Sequence, residues 1–425
     1  MKVVNVAIMG IGTVGGGTYK ILTDNHDHIM SAHDLDVRVK KVLDKDLDRL
    51  KSTVRPDQIT TNLDEILADD EISIVVEVMG GVEPAKTFIT KALKAGKSVV
   101  SANKELIAKH WPELEKVAKE NGVGFYFEAS CVGGVPVIRT LKESLQGDSI
   151  QTIMGIINGT TNYILTKMTQ EDMSYADALK QAQELGFAEF NPTADVDGYD
   201  AMYKLSILSS LAFHTCIPYT SIYREGITKV TKSDISAAKD MGYTIKLLAI
   251  GKRNGNEVEV RVHPTLVPDE HPLASVSGSF NAFFLKGNYV DDVMLYGRGA
   301  GSLPTGSAIV SDVVYCASRA EHKHTDFENN GEVANGITVL EDFNSKYYMA
   351  MDVADEAGVL AKIADGFGRK GVSIIQIMQK DVKDGKAHIT VMTHETHEMA
   401  IREAIKDLEE LDCVFEVESL IRVID

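Results

Sequence analysis

Apolar positions along this chain switch repeatedly between strand and helix periods. Residues 3–9 form a compact apolar run that predicts a strand, followed by a helical pattern to about Leu22. Residues 37–43 predict a second strand. Residues 72–79 are almost continuously β-branched, the pattern of a strand buried on both faces. Short strands at 98–100 and 124–127 alternate with helices predicted over 84–95 and 112–121. Such alternation implies a parallel, doubly wound sheet whose ligands sit at the carboxyl ends of its strands.

The texture changes near Leu141. A strand at 150–157, a capped amphipathic helix at 174–185 and a helix that begins near Asp200 are expected, with strands at 258–262 and 279–290. These strands could form a sheet used for subunit contact. A glycine-rich turn at 296–305 precedes a helix at 306–320, and 322–344 is polar enough to read as a linker, its two histidines, 322 and 324, solvated. The last residues read β-α-β-β-α-β: strand 347–353, helix 358–370, strands 372–379 and 387–393, helix 395–408, strand 414–423. That order is the ferredoxin-like split βαβ arrangement.

The 425 residues provide for two to three domains. The net charge of −18 argues against nucleic acid or an anionic membrane surface as a partner. No apolar run is long enough to span a bilayer, and the N-terminal run leads straight into glycines, as a first strand would and a signal peptide would not. Cys131, Cys216, Cys316 and Cys413 are far apart, without metal-type spacing, so a reduced, cytoplasmic protein is expected.

Chemistry enters with Gly10-Ile11-Gly12-Thr13-Val14-Gly15, placed between the first strand and its helix. The first glycine allows a tight turn, the second lets backbone approach a pyrophosphate, and the third lets the helix pack close to the strand. The helix N-terminus then offers unpaired N–H groups to the phosphates. A plain glycine-rich turn is the competing reading; the position favours a dinucleotide site on a Rossmann-type domain. After the second strand the signals conflict. Asp44 could accept from a ribose hydroxyl, as for NAD, and Lys45 could pair with the 2′-phosphate of NADP. Lys104 follows the strand at 98–100 and is either a loop lysine in solvent or a group that polarises a carbonyl beside the nicotinamide.

Residues 182–204 concentrate Glu189, Asp195, Asp197, Asp200 and Lys204 around Pro192 and Gly198. On a helix Asp200 and Lys204 are i and i+4, on one face. Taken alone, the stretch reads as an acidic loop and a capped helix with a surface ion pair. A lysine so placed could also hold an amino acid and move a proton.

This stretch, with its Ala-x-x-x-Gly start, Asn-Pro, Asp-Val-x-Gly-x-Asp and terminal Lys204, resembles the signature of homoserine dehydrogenases. Gly-Ile-Ile-Asn-Gly-Thr-Thr-Asn-Tyr-Ile-Leu (155–165), Ser-Ala-Asn-Lys-Glu (101–105) and Gly-Arg-Gly-Ala-Gly-x-Leu-Pro-Thr (297–305) are similar to that family's motifs, in the same order. The resemblance implies NAD(P)-dependent interconversion of L-aspartate 4-semialdehyde and L-homoserine by a homo-oligomer, dimer or tetramer. It implies that Lys204 donates the proton, that Lys104 lies between substrate and nicotinamide and assists proton transfer as a second catalytic residue, and that Glu189 and Asp200 hold the substrate ammonium. Asp195 would position Lys204. Gly159 and Thr160 would line the substrate pocket, and Gly299 would help Gly10, Gly12, Thr13, Val14 and Gly15 cradle the cofactor. The family's monovalent cation, usually Na⁺, would fall to the Glu128–Val135 segment, through carbonyls of Cys131, Gly133 and Val135; a purely structural turn is the alternative. No kinase domain precedes the first strand, so a monofunctional enzyme is expected.

The C-terminal module resembles an ACT domain, with Asp355-Glu-Ala-Gly-Val-Leu-Ala-Lys-Ile363 at its first strand-to-helix turn. Feedback by L-threonine is what that resemblance implies, and a module that only pairs subunits is the alternative. Glu356-Ala357 departs from the usual Lys-Pro or Arg-Pro there. The expected organisation is therefore α/β: a Rossmann-type NAD(P)-binding domain at 1–140, with 300–322 packing back on it; an α+β catalytic and dimerisation domain at 141–300; a linker at 323–345; and a ferredoxin-like ACT regulatory domain at 346–425.

Overall fold

The computed structural model describes residues 1–325, 331–383 and 385–424. The chain forms two compact units: Met1–Ile153 with Asp200–Ile222 and Asn281–Thr338, and Met154–Tyr199 with Tyr223–Phe280 and Val339–Asp425. Residues 326–330 of the expected linker lie outside the described residues.

The first unit is built on six strands: β1 (Lys2–Met9), β2 (Leu35–Leu43), β3 (Ile59–Thr60), β4 (Ile72–Glu77), β5 (Ser98–Ser101) and β6 (Phe125–Tyr126). They lie in the order β3-β2-β1-β4-β5-β6, and every neighbouring pair is parallel. This is the doubly wound order whose reversal between β1 and β4 opens a crevice for a dinucleotide. Val6, Ile8, Val75, Val76, Val99 and Val100 are fully buried, as strands covered on both faces require. The helix Thr13–Asp24 packs against the helix Ser302–Ser318 so closely that a Cβ on Gly17 would lie 2.2 Å from the Ser302 carbonyl oxygen. Segment 302–318 thus completes the core around β1 and β2.

Two helices of this unit start earlier than the sequence reading places them. The helix expected at 112–121 runs from Lys104 to Glu120, with Pro112 inside it. Asn103 accepts from Leu106 N–H at 3.2 Å and starts the helix eight residues before the proline that seemed to mark its beginning. The helix expected at 306 begins at Ser302, because Pro304 falls in its first turn, where no intrahelical N–H bond is lost. The histidines expected in solvent are engaged instead. His322 Nδ1 lies 2.7 Å from Tyr126 Oη, and His324 is 3.6 Å from the Glu115 carboxylate.

In the second unit, strands Tyr243–Asn254 and Glu257–Pro268 form a long antiparallel pair, of which the sequence reading found only residues 258–262. The sheet continues through Val414–Val423, Asn344–Ala354, Lys386–Thr393 and Ile374–Lys383. With helices Val359–Arg369 and Glu398–Glu409 these last four strands make the ferredoxin-like ACT module. Its core is Tyr347, Met349, Met351, Ile363, Phe367, Ile389, Val391, Ile401 and Leu408. Among the described residues no helix is long and apolar enough to cross a membrane.

The neighbouring glycines in the first helix give a controlled test of close packing. A Cβ on Gly15 would lie 2.0 Å from the Gly10 carbonyl oxygen, whereas Gly16 has nothing within 4 Å. Gly15→Ala is expected to destabilise the protein by about 1–3 kcal/mol or more. Gly16→Ala should be neutral or stabilise by up to about 1 kcal/mol through helix propensity. Thermal unfolding of the two variants distinguishes these outcomes.

Candidate active site

The catalytic candidates of the first unit converge on one carboxylate. The helix Tyr199–Phe213 is buried along almost its whole length, so Asp200 and Lys204 are drawn inside with it. Asp200 Oδ2 accepts from Lys204 Nζ at 2.6 Å, and Asp200 Oδ1 lies 3.3 Å from Lys104 Nζ. The Asp200 and Lys204 side chains are only 7% and 11% exposed, while Lys104 is 44% exposed. Asp200 also sits in the first helical turn, where negative charge is favoured. The ion pair that the stretch alone places at the surface is thus a buried one, and it reaches a second lysine.

The loop that leads into Lys104 is held by a residue that sequence reasoning passed over. Glu77 ends β4 fully buried, and desolvation pushes its carboxyl above the usual range. It accepts from Met79 N–H at 2.9 Å and from Ser101 Oγ at 2.6 Å. Ser101 Oγ in turn accepts from Asn103 N–H at 3.1 Å, and Asn103 Nδ2 donates to the Gly81 carbonyl at 2.6 Å. The loops after β4 and β5 are therefore tied together immediately before Lys104. The available signal was a lone acid in an otherwise β-branched run.

The glycine motif is equally specific. Gly10 has φ +102°, and a Cβ there would meet the Val78 carbonyl oxygen at 2.7 Å. Gly12 is the first-helix N-cap, followed by Thr13 and Val14, and a Cβ on it would meet only Arg49 Nη1, at 3.9 Å. These features fit a pyrophosphate against the helix N-terminus. Asp44 Oδ2 accepts from Ile11 N–H at 2.7 Å and its Oδ1 from Asp46 N–H at 3.0 Å. It shapes the loop. Lys45 is exposed beside it.

Gly299 packs against a side chain. Its Cβ position is filled by the Asn281 side chain, and a Cβ on Gly133 would lie 2.3 Å from the Gly299 carbonyl oxygen. The 296–305 segment reaches the glycine loop through Ser302, whose Oγ donates to the Thr13 carbonyl at 2.8 Å.

In the Glu128–Val135 segment, Glu128 uses its carboxylate to accept from Ile138 and Arg139 N–H, at 2.8 and 2.7 Å. It caps the short helix Val137–Arg139. Val132 and Gly133 both have φ +55°, a costly conformation for a β-branched residue and one that over-determined surroundings must hold. Cys131 is fully buried, and burial pushes its thiol up to about 12, favouring the neutral form. The Asn281 amide beside Gly299 is buried, and neither Oδ1 nor Nδ2 has a partner among the described residues.

The second unit assembles the remaining candidates. Asn158 caps the helix Gly159–Glu171 through Thr161 N–H at 2.9 Å and donates from Nδ2 to Asp195 Oδ1 at 2.7 Å. Thr160 Oγ1 donates to the Phe187 carbonyl at 2.6 Å, and Gln183 Nε2 to the Glu189 carbonyl at 3.1 Å. Gly159, Thr160 and Asp195 are thus brought together, and the loop that carries the exposed Glu189 is pinned to the same helix.

Burial makes one acidic pair pH-sensitive. Desolvation raises Glu128 to about 7 and Asp312 to about 6, against the hydrogen bonds that favour their ionised forms. Folded values above the ordinary carboxylate range favour the neutral form in the native state. Their stabilising contribution is therefore full below about pH 4 and is lost as pH rises through about 7. Urea unfolding should show stability falling from about pH 5 to about pH 7. Asp312→Asn is expected to flatten that fall.

The family profile for homoserine dehydrogenase matches residues 136–314, that for the homoserine dehydrogenase NAD-binding domain residues 10–128, and that for the ACT domain residues 347–413. The chain is 42% identical to a homoserine dehydrogenase of Bacillus subtilis, over 100% of this chain and 99% of that one. The solved structure of a homoserine dehydrogenase from Thiobacillus denitrificans is 38% identical, with a TM-score of 0.94, over 100% of this chain and 99% of that one. A hyperthermophilic archaeal homoserine dehydrogenase in complex with NADPH is 29% identical, with a TM-score of 0.65, over 76% of this chain and 100% of that one.

Proposed function

We propose, for a chain that belongs to the homoserine dehydrogenase family, that it reduces L-aspartate 4-semialdehyde reversibly to L-homoserine with Lys204 as the acid. The observation behind this reading is the Asp200 carboxylate bridging Lys204 and Lys104. The nicotinamide cofactor, when bound, supplies the hydride to the aldehyde carbon. Lys204 Nζ gives a proton to the aldehyde oxygen, and in the reverse direction takes it from the alcohol. Asp200, with both oxygens engaged by lysines, orients Lys204 and steadies Lys104 between substrate and nicotinamide. In the second unit, Asp195 is held in place by Asn158.

The glycine loop is the cofactor's seat. Lys45 and the half-exposed Arg49, with Asp44 engaged by backbone, support a 2′-phosphate and hence NADPH over NADH. For a monovalent cation, the carbonyls of Cys131, Gly133 and Val135 offer hard oxygen donors, and the unpartnered Asn281 amide beside Gly299 supports a polar occupant nearby. Glu128 shapes that loop as a helix cap.

Threonine regulation through the ACT module draws support from one continuous network. Arg422, fully buried, pairs with Glu398 of the module and with Glu225. Glu225 precedes Gly226, where a Cβ would lie 2.2 Å from the Val196 carbonyl oxygen, and Ile227 N–H donates to that carbonyl at 2.8 Å. The module is thereby joined to the segment that carries Asp195. A homo-oligomer, dimer or tetramer, is the expected assembly.

Turnover of aspartate semialdehyde should be faster with NADPH than with NADH, and L-threonine should lower it. Lys204→Ala should lower kcat by about 10²–10⁴-fold, with cofactor binding measured by fluorescence unchanged. A folded Lys204→Ala enzyme at near-normal kcat would remove the assignment.

A further inference from the structure

Three ionisable side chains of the C-terminal module meet on its sheet, outside the residues assigned to the reaction. Asp352 and His388 are directly opposed on the antiparallel strands Asn344–Ala354 and Lys386–Thr393. Glu418 comes from the strand on the other side, Val414–Val423. Along that strand Ala350 pairs with Ser419 and Met351 with Val417, so Glu418 is the extra residue of a β-bulge. Bulges re-aim a side chain out of the regular pleat, and this one brings the Glu418 carboxylate to the Asp352–His388 pair. His388 Nδ1 is 2.9 Å from Asp352 Oδ1 and 4.0 Å from Glu418 Oε2. One donor atom from each of the three residues lies within 4.8 Å of the others. The side chains are 31%, 19% and 27% exposed for Asp352, His388 and Glu418, so the cluster is walled yet open to solvent.

We propose that Asp352, His388 and Glu418 form a site for one first-row divalent cation of the Zn²⁺, Co²⁺ or Mn²⁺ kind. Two carboxylates and one imidazole are the donor set such ions accept, and three protein ligands leave positions for water. The outer surroundings fit as well. His388 Nε2 lies 3.3 Å from Ser233 Oγ, on the helix Lys232–Asp240. With its proton on Nε2 and directed to Ser233, the ring turns its Nδ1 lone pair toward the same point as the two carboxylates, three donors that a cation between them would join; an outer partner of this kind commonly fixes the tautomer of a metal-binding histidine.

The test uses the full-length protein freed of metal by chelator. Titration with Co²⁺ should give a visible d–d band saturating at one ion per chain. Zn²⁺ should displace the Co²⁺ and raise Tm. His388→Ala and Glu418→Gln should each abolish the band and the Tm rise while leaving basal turnover unchanged, which shows that the variants are folded. Ser233→Ala should weaken binding by about 10–100-fold. Absence of Co²⁺ binding below about 1 mM, weaker than specific metal sites require, would overturn the proposal. Stoichiometric binding that persists in both ligand variants would do the same.

Discussion

Charges on a buried helix must bring their partners with them, because an unpaired ion in the interior costs several kcal/mol. The helix Tyr199–Phe213 meets that constraint with Asp200 and Lys204 one turn apart, so the pair enters the core already formed. Asp200 then has a second oxygen to satisfy, and Lys104 reaches it from the start of another helix. Removing either lysine leaves the carboxylate under-compensated, and removing the carboxylate leaves two cations beside each other. The three groups therefore hold each other in a geometry that none would keep alone. Lys104 can serve in this way only because Glu77, Ser101 and Asn103 fix the loop it leaves.

The same accounting governs the second unit. Arg261 and Arg422 are among its largest fully buried side chains. Arg422 is compensated by Glu225 and Glu398, and Arg261 by Glu259 and the face of Phe343, with the guanidinium carbon 4.2 Å from the ring centroid. Arg402 adds a further link between Glu398 and Glu225. Breaking one partner would leave an uncompensated buried charge, so the ACT module and the 223–226 segment are coupled by the penalty for separation more than by the net attraction of any pair.

Much of the first unit was legible because its glycines are required by contacts that only backbone can make. Gly10 and Gly15 are spaced for a turn and a close helix, and the structure uses them so. The i, i+4 pairing of Asp200 and Lys204 was legible for the same reason: it is local. What the sequence concealed was non-local. Asp44 offered a ribose acceptor, yet its carboxylate is held by Ile11, 33 residues away. Pro112 suggested a helix start, and the true start depends on Asn103 and on loops brought beside it by the sheet. Strand Tyr243–Asn254 carries too little alternation to announce itself, since Ile245 and residues 247–250 are consecutively buried rather than one-sided. His324 looked like a linker residue and lies beside Glu115 instead.

One device recurs in both units and explains a residue choice. Asn103 and Asn158 each stand between a strand and a helix, each accepts through Oδ1 from the helix N–H three residues on, and each donates through Nδ2 to a neighbouring segment, the Gly81 carbonyl in one case and the Asp195 carboxylate in the other. Aspartate or serine would cap these helices as well. Neither could make the second bond in the same way. Aspartate has no N–H to give to the Gly81 carbonyl, and at position 158 it would set a carboxylate against the carboxylate of Asp195. A serine hydroxyl has one proton and a shorter reach. Asparagine alone supplies an acceptor for the helix and a donor for the loop from one planar group. The positions of Lys104 on one side and Asp195 on the other thus follow from the amide of the residue that starts the adjoining helix.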